Sequence, residues 1–144
     1  MLVQQILAGK ASGDIETVTP QTSISDAAAI MSKRRIGALV VSNSGTDVQG
    51  ILSERDIVRE LGARGTGCLK DAVSSVMTSK IVTATKADTA EMVLNTMTMG
   101  RFRHMPVLDG DAMIGLISIG DVIGARLREV SSENQALEGM IAGF

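Results

Sequence analysis

The stretch "GLISIGDVI", Gly115 to Ile123, repeats an earlier one, "GILSERDIV", Gly50 to Val58. Glycine, serine and aspartate each return after 65 residues, as Gly50 and Gly115, Ser53 and Ser118, Asp56 and Asp121. Upstream, "ETVTPQTSISDAAAIM" is answered by "KIVTATKADTAEMVLNTM", and "RRIGALVV" by "RFRHMPVL" at a slightly longer offset, as small insertions between blocks produce. A period of that length is too long for a solenoid unit. It suits two half-domains that cover each other's apolar face. The whole chain, 144 residues, has the size of one ordinary domain, whereas either half alone would be marginal.

The same elements recur in each copy. Val18-Thr19 and Ile81-Val82-Thr83 read as first strands, and amphipathic helices follow over Asp26 to Arg35 and Thr89 to Met99. Gly100 stands where a C′ glycine would end the second helix. Two aliphatic strands come next, "IGALVVS" and "QGILS" in the first copy, "HMPVL" and "MIGLIS" in the second. The turn-rich connections "NSGTDV" and "DGDA" predict hairpins. A closing helix starts at Ser53 or Ser118. The expected order is therefore β-α-β-β-α, twice, an α/β (α+β) module with pseudo-symmetric halves. The division is 1–70 for the first repeat with its N-terminal segment, 71–128 for the second, and 129–144 for a helical tail.

Bulk composition narrows the function. Hydrophobic residues make up 44% with only two Phe and no Trp or Tyr, so the core is aliphatic, with the nine methionines read as core filler. A net charge of −2 and so few aromatics argue against a nucleic-acid partner. No apolar run approaches the ~20 residues of a membrane span. The opening "MLVQQILAGKASGD" lacks the basic n-region and cleavage site of a secretory signal, and the cytoplasm is the expected compartment. The single cysteine, Cys68, falls in an expected connecting loop, "RGTGCLKD", and excludes an internal disulfide. With one histidine and one cysteine, neither a His-rich metal site nor a nucleophile–base pair is expected, so no enzyme activity is.

Chemistry gathers at two places. Ser53-Glu54-Arg55-Asp56 and Ser118-Ile119-Gly120-Asp121 each sit where a strand turns into a helix. A serine cap with an acid three residues on resembles a capping box, which needs no ligand. The same geometry lets the carboxylate accept hydrogen bonds from both hydroxyls of a ribose, beside the amides of a helix start. The octet "GRFRHMPV", Gly100 to Val107, holds Arg101, Arg103 and His104 ahead of a strand, as Arg34 and Arg35 stand ahead of the strand in the first copy. Packed about a pseudo-twofold axis, the cations of one copy would face the carboxylate of the other, phosphate meeting arginine and ribose meeting acid.

The doubled elements, the G-hydrophobic-x-[ST]-x-x-D junctions and "RHMPV" before a strand resemble a tandem pair of CBS domains, in particular the small stand-alone two-CBS proteins. The resemblance spans about residues 15–128. It implies a regulatory binding module, assembled as a homodimer, that takes an adenosine compound between the repeats. AMP is favoured; ATP, ADP, NAD(H) and S-adenosylmethionine are the others. Asp56 and Asp121 would hold ribose hydroxyls with Ser53 and Ser118. Ile36, Gly37, Ala38, Met105 and Pro106 would enclose adenine, Thr17, Thr19 and Thr83 would form the rim, and Arg55, Arg103 and His104 would meet phosphate. "IGALV" stands where the second copy has "RHMPV", and Ile119-Gly120 where the first has Glu54-Arg55, so the two clefts are expected to differ in charge. The regulated partner would be a separate enzyme or transporter. The alternative is a ligand-independent dimeric scaffold whose serine–aspartate pairs only cap helices.

The final helix is expected to run from Asp121 toward Ala142. Ile123, Leu127, Val130, Asn134, Leu137 and Ile141 recur at heptad-like spacing. Such a row serves either packing on the chain's own domain or a seam to a second chain.

Overall fold

The computed structural model describes residues 1–10 and 15–141. In the first repeat, β1 (Thr17–Val18) runs parallel to β2 (Ala38–Val41), and β3 (Gly50–Ser53) lies antiparallel on the far side of β2. Between β1 and β2, α2 (Ile24–Arg34) buries Ile24, Ala27 and Met31, a three-and-four spacing that keeps all three on one helical face. Ser23 caps it by accepting the Asp26 N–H at 3.0 Å, a device that stabilises a helix start by about 1 kcal/mol. Helix α3 (Glu54–Arg64) leaves β3 directly from its cap, Ser53.

The second repeat builds the same frame with a shorter start. Ile81-Val82-Thr83 form no strand. The edge position is taken by Ala84 alone, which bridges Val107 in parallel, donating to the Pro106 carbonyl and accepting from the Leu108 N–H, both at 2.9 Å. Ala84 is apolar and buried, as Val18 is in the first repeat, whereas Val82 is exposed to solvent. The pairing residue therefore lies one step downstream of the β-branched run. Helix α4 (Ala90–Gly100) follows, then the hairpin of β4 (His104–Asp109) and β5 (Ala112–Ser118), then α5 (Ile119–Ile141). Gly100 is the last helical residue rather than the C′ position. The left-handed cap is Arg101 (φ 57°), and Gly100 is required because the Phe102 ring fills the space a Cβ would need.

The division at residue 70 does not follow the cores. Val73 is buried with Ile24, Leu39 and Leu52 of the first repeat. The N-terminal helix α1 (Val3–Ala8) inserts Val3 and Ile6 among Val93, Met105, Ile117 and Val122 of the second. Backbone bonds fix both exchanges: Ile24 N–H donates to the Asp71 carbonyl (2.9 Å), and Val3 N–H donates to the Asp88 carbonyl (2.8 Å). The segment preceding each repeat thus packs on the other one. Each buried Val or Ile contributes about 1.5–3 kcal/mol, so neither half retains a complete core when separated.

Two smaller expectations change. Cys68 is buried in a 3-10 helix, Gly65–Lys70, rather than lying in an open loop. Met31, Met97, Met105 and Met113 fill cores, but Met92, Met99 and Met140 face solvent. The tail helix is continuous to Ile141, and every residue from 131 to 141 is exposed, Leu137 and Ile141 of the apolar row among them.

Candidate functional site

Two clefts open between the repeats, each containing one serine–aspartate junction. The Asp121 cleft, about 360 Å³, is formed by Ser118 and Asp121 of the second repeat facing Ile36, Gly37 and Ala38 of the first. Its remaining walls include Leu7, Lys10, Ile15 and Glu16, from the segment that carries the chain from α1 into β1. The Asp56 cleft, about 480 Å³, is formed by Ser53, Arg55 and Asp56 facing Arg101, Phe102, Arg103 and His104. Thr78, Lys80, Ile81 and Val82 complete it, from the segment that leaves the first repeat's sheet and enters the second's. Each cleft thus combines the acid of one repeat with the connecting segment and the helix-to-strand turn of the other.

Both acids close a reciprocal cap. Asp56 Oδ2 accepts the Ser53 N–H at 2.9 Å while Ser53 Oγ accepts the Asp56 N–H at 3.3 Å; for Asp121 and Ser118 the distances are 2.9 and 3.1 Å. The cap consumes part of each carboxylate and leaves further acceptor capacity toward the cleft. Asp56 is 7% exposed and its Oδ1 lies 3.3 Å from the Arg59 guanidinium. Asp121 Oδ2 also accepts from Lys10 Nζ at 2.9 Å, and the same ammonium donates to the Leu116 carbonyl at 2.8 Å. Burial works against the charged form of Asp121, but the Ser118 N–H and the Lys10 ammonium outweigh it and hold its pKa below the ordinary 3.8.

The turns that deliver the arginines are strained alike. Arg35 (φ 55°) and Arg101 (φ 57°) end α2 and α4 in the left-handed region, which costs a non-glycine residue on the order of 1 kcal/mol. Each arginine borders the opposite repeat's cleft. Strand pairing also resets the alignment of the copies. Ala38 pairs with Ser53 and His104 with Ser118, so "GALVV" corresponds to "RHMPV", one residue along from the expected "IGALV". Gly37 and Ala38 therefore occupy the places of Arg103 and His104. The first turn does carry a cation at its edge, Arg35.

His104 lines both clefts, as does Gly37. Burial pushes its pKa below the ordinary 6.5, against the pull of Asp121 and Glu54, while Lys10 and Arg103 add to the lowering. At neutral pH it is therefore an uncharged imidazole that donates or accepts, rather than a third cation for phosphate.

Of the residues read from the sequence, Ile36, Gly37, Ala38, Ser118 and Asp121 meet in one cleft, and Ser53, Arg55, Asp56, Arg103 and His104 in the other. Thr17, Thr19 and Thr83 border neither. The cleft edge lies just upstream of them, at Ile15 and Glu16 and at Ile81 and Val82. Met105 and Pro106 are buried in β4 and reach no cleft. Lys10 carried no sequence signal, since it meets Asp121 across 111 residues of chain. Arg59 was legible in principle, one helical turn beyond Asp56 on the same face. Among the described residues there is no cluster of three or more His, Cys, Asp or Glu side chains placed to hold a metal, and no helix long and apolar enough to cross a membrane.

The sequence profile of the CBS domain matches twice, at residues 6–63 and 73–128. The mitochondrial CBS domain-containing protein CBSX3 of Arabidopsis thaliana is 35% identical over 129 residues, which is 87% of this chain and 63% of that relative, so the chain spans less than two thirds of its length. Among solved structures, the CBS-domain containing protein ATU1752 of Agrobacterium tumefaciens superposes with a TM-score of 0.83 at 39% identity, covering 88% of this chain and 99% of that one. The CBS domain pair of MJ0100, in complex with 5′-methylthioadenosine and S-adenosyl-L-methionine, gives 0.75 at 26% identity, covering 88% and 98%.

Proposed function

The chain belongs to the CBS-domain family, and we propose from that premise that it is a cytoplasmic, homodimeric regulatory module that binds an adenine nucleotide and signals to a separate partner. AMP is the favoured ligand, with ATP, ADP or NAD(H) as the others. The observation that carries this reading is the doubled arrangement in which a capped carboxylate faces, across a cleft, a strained arginine turn of the other repeat. The carboxylate takes ribose hydroxyls, the arginines take phosphate bidentately, and the apolar wall takes the base. The complex of MJ0100 with adenosine compounds supports the ligand class. A ligand held by both repeats favours one relative arrangement of them, and only that difference in affinity allows it to regulate.

A thermal-shift panel of AMP, ADP, ATP, NAD, NADH and S-adenosylmethionine tests the reading. A ligand at 100 times its dissociation constant adds about 2.7 kcal/mol, a rise of roughly 5–10 °C for a domain this size. Indifference to the whole panel would leave the scaffold reading, which the complete reciprocal caps of Ser53 and Ser118 favour.

The homodimer rests on α5. Ile123, Leu127 and Val130 are exposed, and Leu137 and Ile141 continue the row along a helix whose every residue from 131 to 141 is exposed. Truncation after Arg128 should halve the mass seen by light scattering; an unchanged mass would remove the tail from the interface.

A further inference from the structure

The two junctions differ in a way that points to a residue ahead of the first strand. Along α3, Asp56 is flanked by Arg55 and Arg59. At the corresponding places of α5 stand Gly120 and Gly124, so the second repeat supplies no cation of its own beside Asp121. Lys10 supplies one from the N-terminal segment, half-buried and held by two bonds, to Asp121 Oδ2 (2.9 Å) and the Leu116 carbonyl (2.8 Å). Among the described residues the other charges bordering this cleft are Glu16 and Arg35, and the salt bridge to Asp121 comes from Lys10. Arg35 stands exposed at the cleft's edge, whereas the Lys10 ammonium is already seated on the carboxylate.

We infer that Lys10 is the anion-selecting residue of the Asp121 cleft, making it a site for an adenosine compound with a single anionic group on its ribose, a nucleoside monophosphate. The inference rests on the proposed nucleotide-binding function. A ribose hydroxyl that donates to Asp121 Oδ2 replaces the lysine there and frees an ammonium N–H within reach of the ribose substituent. The bond to Leu116 keeps the nitrogen in place during that exchange. The ammonium then meets a phosphate as a point charge, whereas the Asp56 cleft offers Arg55, Arg59, Arg101 and Arg103 as planar forks. The cost of unpairing Lys10 from Asp121 falls on every ligand, but only an anionic one restores a partner to it. Adenosine, with no anion, leaves the lysine without that return.

The test titrates AMP and adenosine calorimetrically into the full chain carrying Asp56→Ala, which removes the other cleft's ribose acceptor; Val82→Trp, which fills that cleft by bulk, serves as the second background. AMP should bind more tightly than adenosine by at least about tenfold, the value of one charge-assisted hydrogen bond. Adding Lys10→Met should shrink the gap below about threefold, and Lys10→Arg should restore it, since either cation can meet one phosphate. An AMP preference that survives Lys10→Met overturns the inference. Binding that is present in the unsubstituted chain but lost in both backgrounds also overturns it while leaving the nucleotide function standing. Absence of AMP binding in the unsubstituted chain overturns both.

Discussion

At Asp56 the carboxylate is buried among cations that its own helix and the opposite turn provide. At Asp121 the helix offers two glycines, the opposite turn offers Gly37, Ala38 and a single exposed arginine, Arg35, and a lysine arrives from another part of the chain. The backbone device is the same to within a few tenths of an ångström in its cap bonds. What has diverged is the charge around it. Duplicated halves can keep a junction for folding, because a capped helix start stabilises either copy, while the side chains around it change independently. One cap geometry thus supports two clefts of different chemistry.

The sharpest way to break this comparison is to remove each acid in turn. Asp56→Ala should weaken AMP or ATP binding at least about a hundredfold, because the ribose acceptor in the arginine-lined cleft is gone. Asp121→Ala should leave the tight site within about threefold, a change worth less than one hydrogen bond. Isothermal titration of both variants decides it, and the opposite ranking would reverse the assignment of the stronger phosphate cleft.

A second comparison concerns the glycines that open the two quoted stretches. A Cβ on Gly50 would lie 2.5 Å from Met77 Sδ and 3.0 Å from the Thr78 carbonyl, which is fixed in a bridge to Ile51. A Cβ on Gly115 would lie 2.6 Å from the tip of Leu7, a side chain that can rotate. Gly50→Ala should therefore cost about 1–3 kcal/mol, and Gly115→Ala less than that. Equal melting temperatures for the two variants would mean that α1 is as rigidly seated as the segment through Thr78.

The smallest expected effect lies at the wall the clefts share. The folded chain holds His104 neutral below its ordinary pKa of 6.5, so the unfolded chain takes up a proton first as pH falls. His104's contribution is full above about pH 6.5 and is lost progressively as pH drops toward its folded pKa. Melting curves between pH 7.5 and 5.5 should show that decline, and His104→Gln should flatten it. A slope unchanged by the substitution would assign the decline to other groups.

The sequence made the frame legible because the repeat is a comparison the chain makes with itself. An aliphatic run followed by serine and aspartate at 65-residue spacing is enough to place both strand-to-helix junctions, and the cleft-forming acids follow from them. Features set by long-range packing were not legible. The first strand of the second repeat shrank to Ala84, because pairing depends on what lies beside a residue, not on its own β propensity. The copies slipped by one residue at "GALVV", where no glycine, serine or aspartate marks the register as those residues do at the junctions. The apolar residues Val3 and Ile6 gave no sign of which core would receive them, so neither the seat of α1 nor the reach of Lys10 to Asp121 was legible.

That exchange of leading segments also sets the order in which the chain can finish folding. Val3 and Ile6 leave the ribosome before Met105, Ile117 and Val122, whatever precedes them, yet those residues complete their burial. The earlier-made helix lacks its full seat, which includes Ile117 and Val122, until more than a hundred residues have followed it. Closure across so long an interval raises contact order and slows the final step. A ribosome stalled midway would display an apolar helix with no seat, a natural handle for chaperones.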